Sequence, residues 1–180
     1  LRTEYPEALN NLGMCLKEVD RYEHSEIVLK RAVSMQPGYA GAWSNLGNTF
    51  KEQEKFEEAI ASYRKAIESK PDFADAYFAL GIVLKEEGEV EEAIASYRKA
   101  IEVKSDFVDA YLRLGNVLRE KGELDEAIGS YRKAIEVKPG FVDAYLGLGN
   151  VLREKGEFDE AIGSYRKAIE VKPDFAYAYL

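Results

Sequence analysis

Residues that could perform chemistry are scarce in this sequence, and their spacing assembles no catalytic or metal-binding site. The chain has one histidine, His24, and one cysteine, Cys15, which supply too few ligands for a metal site. No glycine-rich stretch has the spacing of a phosphate-binding loop. We interpret His24 as a solvated residue and Cys15 as a buried or half-buried structural thiol. The sequence therefore predicts no enzyme in this segment, no cofactor and no metal, and leaves open a catalytic domain elsewhere in the parent protein.

The composition narrows the classes of partner. The formal net charge of the 180 residues is −8. A general nucleic-acid binder needs a basic face, which argues against that class. An acidic chain is also repelled by anionic membranes. No stretch approaches the roughly 18 apolar residues of a spanning helix. We expect protein or peptide partners, no nucleic acid and no membrane. A single cysteine builds no disulfide framework, which favours a cytoplasmic location, and an opening without an initiator methionine or signal sequence indicates a fragment of a longer protein.

The sequence repeats itself with a period of 34 residues. The stretch GNVLREKGELDEAIGSYRKAIEVKPGF at 115–141 recurs at 149–175 with two changes. A recent duplication, a consensus-like origin or a partner with its own repeat would each explain this likeness. A fixed period of this length is the signature of stacked structural units. The predicted units are 6–39, 40–73, 74–107, 108–141 and 142–175, with partial units at 1–5 and 176–180, all within a single domain over 1–180.

Each unit reads as two helices. In the fourth unit, apolar residues from Val108 to Leu118 recur at the spacing of one helix face. Gly122 then suits the left-handed conformation that follows a helix C-terminus. A second apolar face runs from Leu124 to Ile135, and Pro139 stops that helix. One such pair cannot bury both of its faces, whereas stacked copies can. The pattern predicts an all-α solenoid.

The second unit carries the motif that resembles the tetratricopeptide repeat family. That signature is Trp-x2-Leu-Gly-x2-Tyr, then Ala-x3-Phe and a proline. The matching residues, with aromatic exchanges at the fourth and sixth, are Trp43, Leu46, Gly47, Phe50, Ala59, Tyr63 and Pro71. The resemblance recurs five times and implies helix-turn-helix units in a right-handed superhelix. It also implies a concave groove, lined by the first helix of each pair, that binds a peptide or a partner protein.

By analogy with the family, the second, fifth, sixth, ninth and twelfth positions of each unit face this groove. They form acidic, apolar, amide and basic rows, which an extended peptide could use together. Two other interpretations stay open: the basic row is followed by glutamates and could be a solvated charged face, and the apolar fifth position could pack within the array. The predicted peptide-binding residues are Asn45, Asn48, Lys51, Asp75, Phe78, Ile82, Lys85, Asp109, Leu112, Arg113, Asn116, Arg119, Asp143, Leu146, Asn150 and Arg153.

Two subfamilies can be compared residue by residue. The resemblance to chaperone-binding members of the family implies five positions that would form a two-carboxylate clamp. In this chain those positions hold Ser44, Asn48, Ala79, Asp109 and Arg113. Only Asn48 and Arg113 fit, and Asp109 would repel a carboxylate, so a clamp for acidic chaperone tails is disfavoured. The helical arms of O-linked N-acetylglucosaminyltransferases are similar in their NNLG and SNLGN motifs, seen here at 10–13 and 44–48, and in their asparagine ladders. That ladder is only partial in this chain.

Three functional hypotheses follow. The first is a protein–protein interaction scaffold that binds an extended peptide or partner protein in its groove. The second is the substrate-recognition arm of a larger enzyme such as a glycosyltransferase. The third is a self-associating array. We expect the apolar face of the last second helix, formed by Ile162, Tyr165 and Ile169, to be open to solvent and to support a homo-oligomer.

Overall fold

The structure, a computed structural model, describes residues 5–172, and α-helix is the only regular secondary structure in that range. It divides into two compact units, Leu1–Val103 and Lys104–Leu180. The described part of the first unit contains α1 Pro6–Glu18, α2 Tyr22–Met35, α3 Ala40–Glu52, α4 Phe56–Ser69, α5 Ala74–Glu86 and α6 Val90–Val103. The described part of the second contains α7 Val108–Lys121, α8 Leu124–Val137, α9 Val142–Lys155 and α10 Phe158–Val171.

Helices pack in the order of the chain within each unit. In the first unit α1 pairs with α2, α3 with α4 and α5 with α6, and each second helix also packs against the first helix of the next pair. In the second unit α7 pairs with α8 and α9 with α10, while α8 packs against α9. The first helices also touch in sequence, α1 with α3, α3 with α5, and α7 with α9. The prediction of an all-α solenoid of about five repeats is confirmed.

The core of each repeat is a glycine covered by a large side chain. Tyr63 is fully buried, and its Cε1 lies 2.7 Å from the point where a Cβ on Gly47 would stand. Gly115 has the same relation to Tyr131, at 2.8 Å. Atoms do not approach a Cβ this closely, so only glycine lets the first helix lie flat against the ring of the second.

Cys15 is exposed, so the expectation of a buried or half-buried thiol was wrong. Thr49, which stands at the same position of the next repeat, is fully buried. Its hydroxyl lies 2.9 Å from that of Ser25 on α2, the second helix of the preceding repeat. Among residues 5–172 no such helix precedes α1, so Cys15 lacks the neighbour that buries Thr49.

None of the helices within residues 5–172 has the length and the apolar character that a membrane span requires.

The turn inside each repeat passes through the left-handed backbone region. Gly88, Gly122 and Gly156 adopt φ values of 83°, 86° and 83° there. At the equivalent places of the first two repeats stand Asp20 and Glu54, each with φ of 58°. A side chain in this region costs roughly 1–2 kcal/mol, which glycine avoids. The first two repeats therefore carry a backbone cost that the last three do not.

We predict that Glu54→Gly raises the free energy of unfolding by about 1 kcal/mol, because it removes the steric cost of a left-handed glutamate. The reverse change, Gly156→Glu, is the matched control and should lower it by a similar amount. Urea denaturation followed by circular dichroism measures both. Equal stability of the two variants would show that the turn conformation carries no such cost.

We also predict a loss of stability at alkaline pH that depends on the buried tyrosines. Burial raises the pKa of Tyr63 above its ordinary value of 10.0, and the charges of Glu52 and Glu86 raise it further. Above pH 10 the unfolded chain therefore releases a proton that the folded chain keeps, so the free energy of unfolding falls as pH rises. Tyr63→Phe should make this fall shallower in urea denaturation at about pH 9 and about pH 11.

Asn48→Ala is the control for this experiment, because it removes the hydrogen bond of the Tyr63 hydroxyl but leaves the titrating group in place. Its stability should fall between the two pH values as steeply as that of the unmodified protein. An unchanged slope in Tyr63→Phe would contradict the prediction.

Candidate functional site

The ninth position of three repeats carries an asparagine that is joined to the core tyrosine of the same repeat. The Tyr63 hydroxyl donates to Asn48 Oδ1 at 2.8 Å. Tyr131 donates to Asn116 Oδ1 at 2.8 Å and Tyr165 to Asn150 Oδ1 at 2.9 Å. These asparagines are half-buried. Each is therefore placed by the same ring that covers the glycine, which links the predicted groove to the repeat core.

In the second unit α7 and α9 form a cleft of about 320 Å³. Seven of the predicted residues line it: Leu112, Arg113, Asn116, Arg119, Asp143, Leu146 and Asn150. Two further residues complete the lining, Tyr131 and Gly147. Neither residue was among the predicted peptide-binding residues. A Cβ on Gly147 would overlap the Tyr131 ring, so this glycine is what lets the ring reach the cleft. The only sequence signal for this contact was that Gly147 is the sixth residue of its unit, one of the positions expected to face the groove.

The remaining predicted residues lie outside this cleft. Asp109 and Arg153 belong to the same unit and are exposed. The others belong to the first unit: Asn45, Lys51, Asn48 and Ile82 are half-buried, and Asp75 and Lys85 are exposed. Asn45 Nδ2 donates to Asn10 Oδ1 at 2.8 Å. Phe78 packs beside Tyr97, with ring centroids 5.9 Å apart, which agrees with the alternative that the apolar row packs within the array. That these positions bind a peptide stays a prediction.

The basic and acidic rows differ in how far they are neutralised. Lys51 Nζ lies 3.1 Å from Glu52, and Arg119 Nη1 donates to Glu154 Oε1 at 2.7 Å, a contact that raises the pKa of Arg119. In contrast, Asp109 and Asp143 form no ion pair among the described residues and are exposed. Part of the basic row is therefore satisfied within the chain, while these two carboxylates remain available to a ligand.

Within residues 5–172 no group of three or more histidine, cysteine, aspartate or glutamate side chains could hold a metal ion. His24, the one histidine, is exposed on α2. The cleft brings together two leucines, two asparagine amides, the unpaired carboxylate of Asp143 and the unpaired guanidinium of Arg113.

Several comparisons with known proteins bear on the family. Models described as TPR repeat match residues 47–88, 83–118, 115–152 and 149–180, and one described as Tetratricopeptide repeat matches 6–39. No curated protein gave a significant match. The chain is similar to MamA in its crystal structure, with 30% identity, coverage of 92% of this chain and 96% of that one, and a TM-score of 0.85.

Two further structures extend this comparison. YrrB, described as a TPR protein with an unusual peptide-binding site, is 26% identical over 92% of this chain and 86% of its own, with a TM-score of 0.77. MamA from Desulfovibrio magneticus RS-1 covers 97% of this chain and 98% of its own at 16% identity and a TM-score of 0.84, which shows the fold alone. The resemblance to glycosyltransferase arms is not shown. The helical repeats form a protein–protein interaction scaffold, and the chain belongs to the tetratricopeptide repeat family.

Proposed function

We propose that the cleft between α7 and α9 binds an extended peptide segment of a partner protein. The observation that carries this proposal is the convergence of apolar, amide, acidic and basic side chains in one cleft. Leu112 and Leu146 are half-buried there, so each retains apolar surface that a ligand side chain could cover. The similarity to YrrB, whose description names a peptide-binding site, supports the same class of ligand.

The charges favour a peptide that carries a basic residue. Asp143 and the exposed Arg113 line the cleft and form no ion pair among the described residues. Arg119 is paired with Glu154, so the local charges balance and the net charge of the chain decides. The chain as a whole has a net charge of −8. Complementary charge speeds encounter and selects among partners more than it adds affinity. We therefore propose a ligand with a lysine or arginine next to an apolar residue.

A random dodecapeptide library displayed on phage tests this proposal. Selection on the immobilised protein should enrich peptides that combine basic and apolar residues. Fluorescence anisotropy with a labelled winner should then show a loss of affinity of at least about tenfold when Leu112 and Leu146 are both changed to alanine, since burial of a leucine side chain contributes about 1.5–3 kcal/mol.

The control for that experiment is Ile27→Ala on α2, which removes an isoleucine that is 65% exposed and lies in the other unit. This variant should bind as the unmodified protein does. Failure to enrich any peptide, or unchanged binding by the Leu112→Ala, Leu146→Ala variant, would refute the cleft as the binding surface.

Self-association is a second candidate function, favoured by the exposed face of α10. Ile162 and Ile169 are 47% and 49% exposed, whereas Ile128, the counterpart of Ile162 on α8, is 5% exposed. Tyr165 of the same expected face is half-buried. Leu12 on α1 is likewise 48% exposed, while Leu46 at the same position of α3 is 2% exposed. These are residues that the contact between successive repeats buries inside the array.

We infer that α10 of one copy packs on α1 of the next, in the way that α8 packs on α9. Such a head-to-tail contact is heterologous and can add further copies. Sedimentation velocity should show a sedimentation coefficient that rises with concentration, and Ile162→Asp with Ile169→Asp should abolish the rise. Ile27→Asp serves as the control for a charge added to an exposed isoleucine elsewhere. A monomer at every concentration would refute this contact.

A further inference from the structure

We propose that the contact between successive copies of this chain is selected by charge, with Arg153 of one copy paired to Glu18 of the next. This inference rests on the proposed self-association and names the residues by which one copy recognises another. It follows from the ion pairs that join neighbouring repeats inside the chain, because the two halves of one such pair are left in the fifth and the first of the described repeats.

Two kinds of ion pair join the fourth repeat to the fifth. Between the first helices, Arg119 Nη1 lies 2.7 Å from Glu154 Oε1. Between the second helices, Arg132 Nη2 lies 2.9 Å from Glu160 Oε2. In both pairs the arginine belongs to the earlier repeat and the glutamate to the later one. The ion pairs therefore have a direction, because the fourth repeat presents arginines to the repeat that follows it and the fifth presents glutamates to the repeat that precedes it.

The arginine half of the first kind of pair is free in the fifth repeat. Arg153 occupies there the place of Arg119, is exposed and forms no ion pair among residues 5–172. The glutamate half lies on α1, where Glu18 occupies the place of Glu154. Glu18 contacts its chain neighbour Lys17 at 2.7 Å, but its side chain is 72% exposed, against 37% for Glu154. The fifth and the first repeats therefore each carry one half of an ion pair between repeats.

The proposed packing of α10 on α1 brings these two halves together. In the register in which α8 packs on α9, the guanidinium of Arg153 faces the carboxylate of Glu18, as its counterpart does inside the chain. The apolar faces of the two helices impose no such order, because the hydrophobic effect is non-directional. An ion pair does, since charge selects partners and fixes register more than it adds affinity. The partner surface that fits the fifth repeat is therefore the first repeat of a second copy.

The second kind of ion pair is incomplete at this contact. Arg166 on α10, which occupies the place of Arg132, is exposed and has no ion pair among the described residues. In the next copy the place of its glutamate is held by His24, which is exposed on α2. In the third repeat the same place carries Glu92, and Arg64 lies 2.8 Å from it. Copies are therefore joined by one of the two ion pairs that join repeats, which makes their contact weaker than an internal one.

Charge reversal tests the pairing by sedimentation velocity at about 50 mM salt, where screening is limited. Arg153→Glu and Glu18→Arg each place like charges at the contact, so each variant alone should associate about tenfold more weakly than the unmodified protein. An equimolar mixture of the two variants should recover the association, because opposite charges then face each other wherever unlike copies meet. One chain that carries both substitutions should recover it as well.

Lys65→Glu is the matched control for Arg153→Glu, because it makes the same change of charge at an exposed lysine on α4. That helix already packs between α3 and α5 and has no part in the proposed contact. The variant should associate within about twofold of the unmodified protein. Thermal unfolding followed by circular dichroism checks that each variant remains folded.

His24→Glu tests the same register in the opposite direction. It supplies the acid that is missing opposite Arg166, so the association should become about threefold stronger at low salt. This gain should disappear at about 0.5 M salt, because screening weakens an exposed ion pair. His24→Gln adds no charge and should associate as the unmodified protein does. An unchanged or weaker association in His24→Glu would contradict the register from which the pairing is inferred.

The outcomes distinguish this inference from the function on which it rests. If Arg153→Glu associates as strongly as the unmodified protein, or if the mixture of the two variants fails to recover, the ion pair between copies is wrong. The end-to-end contact itself still stands in that case when Ile162→Asp with Ile169→Asp abolishes the association. If the unmodified protein is a monomer at every concentration, the self-association and the ion pair are both refuted.

Discussion

The structure depends on a single contact, the close approach of a glycine on the first helix of a repeat to a ring on the second. A Cβ atom added to Gly47, Gly81 or Gly115 would lie 2.7–2.8 Å from the nearest ring atom. The rings concerned are those of Tyr63, Tyr97 and Tyr131. Each of these rings is at most 2% exposed. Close packing of this kind leaves no room for another side chain. Because the contact recurs with every repeat, the pairing of the helices recurs with it.

The same ring also connects the core to the surface. Its apolar part lies against the glycine, while its hydroxyl reaches the asparagine at the ninth position, as Tyr131 does with Asn116. Such a tyrosine has to find a partner for its hydroxyl when the ring is buried. The packing requirement of the repeat therefore orients a side chain in the proposed binding cleft. A substitution at the glycine should therefore displace the ring and, with it, the asparagine that lines the cleft.

Much of the fold could be predicted from the sequence, because the period of 34 and the apolar spacing are local signals. The turn at Gly122 was predicted in the same way and adopts the expected left-handed conformation. Contacts between repeats were harder to foresee. The sequence does not reveal that buried Ser25 satisfies its hydroxyl with the Gly13 carbonyl at 2.8 Å and with Thr49. Nor did it show that Cys15 would be exposed, since its burial depends on a neighbouring repeat.

For the candidate site, the sequence indicated which residues of the first helices would line a groove. It did not indicate which of their side chains form ion pairs or ring contacts with neighbouring repeats. Spacing placed Leu112, Asn116 and Leu146 on first helices, and the resemblance to the family implied that they face the groove; all three line the cleft. Whether a charge in a row is neutralised depends on side-chain positions across repeats, as with Arg119 and Glu154, which are 35 residues apart. The part played by Gly147 likewise depends on a ring from the preceding repeat. Such information is three-dimensional and is carried by no single motif.

The most direct test of this account is Gly115→Ala, studied by urea denaturation and by the NMR signals of the Asn116 side-chain amide. The added methyl should displace the Tyr131 ring, lower the free energy of unfolding by about 1–3 kcal/mol and shift the Asn116 amide signals. Gly129→Ala on α8 is the control, because nothing lies within 4 Å of its added Cβ, and it should leave those signals in place and stabilise by about 0.5–1 kcal/mol. Unchanged stability and unchanged Asn116 signals in Gly115→Ala would contradict the claim that one contact builds the repeat and orients the cleft.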